Sequence, residues 1–366
     1  MMSRNPEYKD LIGFHPGNYV SEILDDMNIT QEEFAHRLGI SSKAVSKLVN
    51  CEENISPATA NKLEQVTGVS IQTWLNLQAK YDAKVQEIKN LQNEDEADVA
   101  KQIDTGFLKK HHLFEDRSYP LKEKITKLRQ ILKIANLTQL DTFNPLVSYR
   151  RSEAKNESKS IIASNAILEL AMDEARNKSD VKYDKAKLKR KFSWIKSLNL
   201  EPPEKFYPEL RDGLLECGIV LVAMPNMPGA RLNGATKKFR NGSVLLLFTD
   251  KDKSADIIWF SIIHELGHIY YEDFFSDPSD KEAYTVKENK ADQFAEDFFI
   301  SSEKYRDFVN RRNFSPNSVK AFAKEVGVIP SIVIGRLQKD EYVSYSDIGL
   351  HSLKIKYEVM KDFSSL

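Results

Sequence analysis

Cysteine is almost missing from this 366-residue chain. The two present, Cys51 and Cys217, stand far apart and in no ligand-type spacing, which excludes a disulfide framework and a cysteine zinc site and fits a reducing compartment. Long apolar runs are missing too, since a stretch such as Ile257 to Ile263 falls far short of the ~20 residues that a membrane span needs. The first residues, Met1 to Glu7, lack the apolar stretch of a signal peptide. A cytoplasmic protein without a membrane partner is the expectation. Net charge is nearly absent as well, at −1, but that balance conceals segregation. Residues 1 to 80 carry 7 basic against 10 acidic side chains, and residues 101 to 196 carry 22 against 12, so the middle is the basic part. The length is more than one ordinary domain uses, and two or three are expected.

What is present is headed by Ile262-Ile263-His264-Glu265-Leu266-Gly267-His268-Ile269-Tyr270. Residues four apart share one face of an α-helix, so His264 and His268 can offer two imidazole nitrogens to a single zinc ion. Glu265 then stands beside them as the natural general base. A third ligand decides the matter, because two His alone hold zinc poorly. Downstream, Val286 to Phe299 reads as a second amphipathic helix, with Ala291, Phe294, Ala295, Phe298 and Phe299 at core spacing. Glu288 lies on it, far enough after His268 for a loop and an antiparallel return to the metal. Glu282 and Asp292 are the other acidic groups able to serve as ligands. One turn beyond Glu288, Asp292 is also placed to accept the second ring N–H of a ligand His. Two His and one carboxylate leave a position for water, whose pKa zinc lowers toward neutrality, ready for attack on an amide carbonyl.

At the other end, His15-Pro16-Gly17 opens a helix with Tyr19, Val20, Ile23, Leu24 and Met27 at helical spacing. Thr30 to Glu33 reads as a capping box before a second helix, which stops at Gly39. Ser41 caps a third, with Ala44, Val45, Leu48 and Val49 inward and Ser42, Lys43, Ser46 and Lys47 outward. Ser56-Pro57 starts a fourth and Ser70 a fifth. A tight glycine turn between the second and third of five short helices is the helix-turn-helix arrangement, whose second element enters the major groove. Arg37, Ser42, Lys43, Ser46 and Lys47 are the candidate DNA-contacting residues, suited to base edges and phosphates. A helical bundle that binds protein is the competing reading, favoured by the mildly acidic balance of this segment.

Residues 13 to 82 resemble the HigA type of antitoxin within the XRE (Cro/repressor-like) group. The resemblance is carried by His15-Pro16-Gly17, Thr30 to Ala35, Leu38-Gly39-Ile40-Ser41, Ile55-Ser56-Pro57 and, most specifically, Trp74-Leu75-Asn76-Leu77-Gln78-Ala79-Lys80-Tyr81-Asp82. It implies binding of operator DNA as a homodimer and, often, a partner toxin of HigB type.

Between these ends the fifth helix is expected to run on through Tyr81, Val85, Ile88 and Leu91 until Asn93-Glu94-Asp95-Glu96 breaks the apolar pattern. Leu121 to Leu132 and Ile161 to Ala175 mark two further amphipathic helices. The basic run Lys182 to Lys191 suits DNA backbone, an acidic partner or, most simply, a solvated helix face. Glu201-Pro202-Pro203 signals a boundary. Cys217 to Val222 and Ser243 to Phe248 read as strands, with a weaker one near Gly234-Ala235-Thr236, so a small sheet precedes the metal helix. An edge strand there either pairs with an extended substrate backbone or belongs to the core. Near the end, Val319 to Leu337 copies a helix-turn-helix rhythm, but Ile332, Val333 and Ile334 point to packing. Arg336 is read as a structural ion pair, with an oxyanion contact as the alternative.

From about Phe192 onward the chain resembles the ImmA/IrrE metallopeptidases, through His264-Glu265-Leu266-Gly267-His268 and Glu288-Asn289-Lys290-Ala291-Asp292-Gln293-Phe294-Ala295. The resemblance places His264, His268 and Glu288 at the ligand positions and Glu265 at the catalytic one. The family's leucine-rich end of the second motif is here Phe298-Phe299-Ile300-Ser301, a departure that touches packing. The expected fold is mainly α. A five-helix helix-turn-helix domain (13–82) leads through a basic helical connector (83–191) to an α+β zincin-like domain (192–366) with a small sheet and the His-Glu-x-x-His helix. The expected function is a transcriptional regulator or antitoxin with a zinc endopeptidase that cleaves a regulatory protein. The alternative is an antitoxin that binds operator DNA and masks a toxin without cutting, its metal site structural or sensory.

Overall fold

The computed structural model describes residues 5–142, 148–151, 158–274 and 281–359, with residues 148–151 as backbone. Contacts divide the chain into two compact units, Met1–Ala97 and Asp98–Leu366, each with its own core.

The first unit opens with two short paired strands, β1 (Glu7–Tyr8) and β2 (Leu11–Ile12). Five helices follow: α1 (Gly17–Met27), α2 (Gln31–Leu38), α3 (Ser42–Val49), α4 (Pro57–Thr67) and α5 (Ile71–Gln102). The stop and start signals work as their chemistry dictates. Thr30, Ser41 and Ser56 each accept the backbone N–H three residues on, and Pro57 occupies the first turn of α4, where no N–H is needed. Gly39 ends α2 with φ of 61°, the left-handed value that lets the chain turn sharply into α3. The capping box is only half closed. Thr30 Oγ1 accepts from Glu33 N at 3.1 Å, but the Glu33 carboxylate takes Arg37 at 2.7 Å, because a charge-assisted pair one turn along outcompetes a reach back to a backbone amide.

Val20, Phe34, Val45, Leu63 and Trp74 fill the core of this unit. The Trp74-to-Asp82 segment acts from inside. Trp74 is buried, Gln78 accepts the Ile55 N–H at 2.9 Å and donates to Asp82, and the Tyr81 ring meets His15 edge-on at 4.7 Å. Helix α5 does not break at Asn93-Glu94-Asp95-Glu96 but continues to Gln102. That stretch is polar yet contains neither Gly nor Pro, and Asp95 takes the Tyr8 hydroxyl at 2.8 Å and the Lys9 ammonium at 2.6 Å.

In the second unit α6 (Thr105–Lys110), α7 (Leu121–Leu132), strand β3 (Ser148–Arg151) and α8 (Ser158–Ala175) precede α9 (Lys185–Ser197) and α10 (Pro203–Leu215). Then come strands β4 (Ile219–Met224), β5 (Leu232–Lys238) and β6 (Val244–Thr249), and the helices α11 (Ala255–Tyr271), α12 (Lys281–Phe299), α13 (Ser302–Asn310), α14 (Pro316–Val326), α15 (Pro330–Lys339) and α16 (Ile348–His351). The four strands form one mixed sheet in the order β3-β5-β6-β4, with β4 parallel to β6 and the other two pairings antiparallel. All six residues of β4 and of β6 are buried, as parallel strands covered on both faces require.

Alternation along those strands builds two cores. Leu221, Ala223, Leu246 and Phe248 face α9, α10 and the α11 layer, while Val220, Val222, Leu245 and Leu247 face α8 with α6 and α7. Residues that carry no family signal in the sequence therefore cover one whole face of the sheet and supply its edge strand. Mainly α, with a helical start, a helical middle and a small mixed sheet before the helix bearing His264-Glu265-x-x-His268, is the architecture observed. Among the described residues, no helix is long and apolar enough to cross a membrane.

Candidate functional site

Helix α11 is apolar nearly all round, so it is an interior helix, and the polar side chains it carries are buried with it. His264, Glu265 and His268 show at most 1% of their surface. Burying three such groups is costly unless they are paired, and the pairing comes from α12. Gly267 lets α12 approach: a Cβ there would sit 3.1 Å from Phe294 Cδ1 and 3.3 Å from Ala291 Cα. With the two helices this close, Glu288 reaches both imidazoles.

The distances describe a compact cluster. His264 Nε2 and His268 Nε2 lie 3.1 Å apart, and the two Glu288 oxygens lie 3.3 Å from them, one each. Around a tetrahedral ion with bonds of about 2.0–2.1 Å, neighbouring ligand atoms sit about 3.3 Å apart, so these three donors already stand at ligand spacing. On the far side of the first ring, Asp292 Oδ1 accepts from His264 Nδ1 at 2.8 Å, which leaves the Nε2 lone pair pointing at Glu288 and His268. His268 Nδ1 is buried without a hydrogen-bond partner among the described residues. Two buried imidazole nitrogens facing each other over a carboxylate form a donor set able to hold a divalent cation.

Electrostatics act in the same direction. Burial pushes the His268 pKa below its ordinary value, favouring the neutral imidazole that a metal requires. For Glu288 burial acts upward but is outweighed by its close contacts with the His264 and His268 rings, which hold its pKa down at about 2. The carboxylate is therefore charged at any ordinary pH.

One neighbour was not singled out in the sequence. Gly234 of β5 lies against Glu265, where a Cβ would fall 2.7 Å from Glu265 Cγ and 2.8 Å from Oε1. A lone glycine inside a strand marks close approach by something else, and that was the available signal. Glu282, the other carboxylate considered, is exposed and lies outside the cluster. Asp292 stands behind His264, with Lys339 Nζ 3.4 Å from its second oxygen.

In the first unit, Arg37, Ser42, Lys43 and Lys47 are exposed and Ser46 is half-buried, its Oγ accepting from Asn50 at 3.3 Å. The structure brings Ser42, Lys43, Ser46 and Lys47 onto the outer side of α3, opposite the buried Val45, Leu48 and Val49. Arg37 stands on α2, paired with Glu33. A helix-turn-helix family model matches residues 20–74, which span α1 to α4 and the start of α5. YddM, an uncharacterized HTH-type transcriptional regulator from Escherichia coli (strain K12), is 40% identical over 63 residues, 17% of this chain and 67% of that protein. The chain belongs to the helix-turn-helix family. Virulence-associated protein I from Dichelobacter nodosus is 30% identical to this family member over 79 residues, 21% of this chain and 73% of that one. An addiction module antidote protein of a HigA family from Coxiella burnetii is also similar, with 31% identity, 20% of this chain and 80% of that chain covered, and a TM-score of 0.20.

The remaining candidates in this helix-turn-helix protein take part in packing or ion pairs. Arg336 donates to Ile300 O at 2.7 Å, pairs with Glu296 at 3.5 Å and lies over the Tyr305 ring, which makes it a brace at the end of α12. The basic run lies on α9, where Lys187 and Lys191 pair with Glu216 and Leu188 is buried. Ile332, Val333 and Ile334 of α15 are buried beside α11, so the second helix-turn-helix rhythm serves packing.

Proposed function

We propose that this protein is a transcriptional regulator of the antitoxin type that binds operator DNA through residues 13–82 and carries, within residues 192–366, a zinc endopeptidase site acting on a regulatory protein. The observation that carries the enzymatic half is the convergence of His264, His268 and Glu288 at ligand spacing, with Glu265 buried on the same helix. His264, His268 and Glu288 are the residues that would hold the ion. A zinc ion held there would supply Lewis acidity toward the scissile carbonyl and a water of lowered pKa. Glu265 takes the proton from the attacking water and passes it to the leaving amine, and its burial against Gly234 keeps bulk water from competing for that proton. Asp292 holds the His264 ring in the tautomer that presents Nε2.

The DNA-reading half rests on membership of the helix-turn-helix family and on the exposed residues of α3. Ser42, Lys43, Ser46 and Lys47 face the major groove, and Arg37 contacts backbone phosphate after exchanging Glu33 for it. Two copies on a palindromic operator follow from the geometry of such domains, and a HigB-like toxin is the partner that the antitoxin likeness suggests. A cytoplasmic setting accords with the paucity of cysteine.

Metal content of the purified protein, with and without Glu288→Ala, tests the site: one zinc per chain falling well below one in the variant is expected. Glu265→Gln then separates cutting from sensing. If regulation and toxin neutralisation survive that change while His264→Ala alters them, the centre senses or braces and the endopeptidase reading is wrong.

A further inference from the structure

An extended peptide binds a sheet by adding a strand to an open edge, where main-chain hydrogen bonds hold it whatever its side chains are. Beside the metal cluster the strand in question is β5, since it packs on α11 and its Gly234 touches Glu265. One edge of β5 belongs to β6. The other is not open. It is taken by β3, a strand from the segment before α8, which runs antiparallel to β5 and also lies against α11. In the register, Ser148 faces Thr236, Tyr149 faces Ala235 and Arg150 faces Gly234, after which the ladder skips Asn233 and Arg151 faces Leu232. Neighbouring strands lie about 4.8 Å apart, so the backbone at Arg150 passes one strand spacing from the glycine that abuts Glu265. A peptide bond presented to that carboxylate by pairing with β5 runs along the same line.

We infer that the outer edge of β5 is a binding site for an extended peptide, and that the chain's own Ser148–Arg151 is its resident ligand, which any protein substrate must displace. This inference rests on the endopeptidase reading for its consequence, and on the strand pairing alone for its structure. The occupant is short, four residues against the seven of β5, and its ladder is irregular beside the catalytic position. A longer regular strand from a protein substrate gains more hydrogen bonds on the same edge, so displacement is favourable for a good partner and blocked for a poor one. The resident strand thus sets a threshold on which peptides reach the centre.

Successive residues of a strand point their N–H groups to opposite sides, so of Tyr149→Pro and Arg150→Pro one deletes a donor to β5 and the other an outward one. Hydrogen exchange of residues 232–238 is measured in the metal-free full chain and in both variants. The expected result is exchange at least ~10-fold faster in one variant, with protection restored by a synthetic peptide of residues 146–153 that the unsubstituted chain does not bind. Equal exchange in all three proteins overturns the inference. In the zinc-loaded proteins, cleavage of an extended peptide library is expected to be at least ~10-fold faster in the opened variant. If the edge opens and binds peptide but neither protein cleaves, the resident strand stands and the endopeptidase reading fails. Self-cleavage within residues 148–151 of the unsubstituted chain makes the segment a substrate and overturns its role as a blocker.

Discussion

Lys43 and Lys47 stand on the solvent side of α3, whereas His264, Glu265 and His268 show no more than 1% of their surface inside the second unit. The two units thus hold their chemistry in opposite places relative to their cores. Side chains already in water take little part in packing, so the exposed lysines of α3 can change at little cost to the fold. Buried imidazoles and carboxylates give up hydration, and only each other or a metal compensates them. Chemistry and stability should therefore separate in the first unit and move together in the second.

The sharpest break of that contrast is Glu265→Gln. It keeps size and burial but removes the proposed base, so peptide hydrolysis is expected to fall by about 10²–10⁴-fold while zinc content and melting temperature hold. A smaller but telling change is Asp292→Asn, which loosens the His264 ring: metal affinity measured by competitive chelation should drop by about 10–100-fold. Because a ligand bound only by the folded state stabilises it by about 2.7 kcal/mol at a hundredfold excess over Kd, the variant should also lose about half or more of the zinc-induced rise in thermal midpoint. Operator affinity should not follow it. In the first unit, Lys43→Ala with Ser46→Ala is expected to weaken operator binding by about tenfold or more in a titration at fixed salt, with the melting temperature unchanged. Unchanged affinity would refute the groove assignment.

The same contrast explains what could be read from residues alone. The first unit is built from neighbours in sequence, so Thr30, Gly39, Ser41 and Ser56-Pro57 announce their own turns, and every helix start was visible. In the second unit the helix bearing His264 and His268 and the helix bearing Glu288 were legible because the spacing of candidate ligands is a local pattern. Strand β3 was not, since nothing in Ser148 to Arg151 reveals a pairing with residues more than eighty positions away; only register with Gly234 does. The face of α8 against the sheet was hidden for the same reason. That helix reads as amphipathic but is buried along almost its whole length, so its apolar stripe does not say which element it meets. At Asn93 to Glu96 the apolar pattern breaks but the helix runs on, because only Gly or Pro disfavours continuing it strongly enough to require a stop.

Acid provides the finest test, because there the two units begin alike. His268 in one and His15 in the other are both pushed below the ordinary histidine pKa by burial. His15 Nδ1 also accepts the Gly17 N–H at 2.9 Å, a bond that protonation there would remove. For a group whose folded pKa is depressed below 6.5, the unfolded chain takes the proton first as pH falls, so stability is full above the unfolded value and declines below it. Both units of the metal-free protein should therefore lose stability as pH falls through and below about 6.5. Zinc breaks the symmetry. A ligand imidazole must give up its metal before it can take a proton, so saturating zinc should move the decline of the second unit to lower pH. No metal cluster surrounds His15 among the described residues, and the first unit should not move. Hydrogen exchange followed separately in α3 and α11 across pH 5–7 reads both at once, and a zinc-dependent shift in α3 as large as that in α11 would show that the buried histidines of the second unit are not what the metal protects.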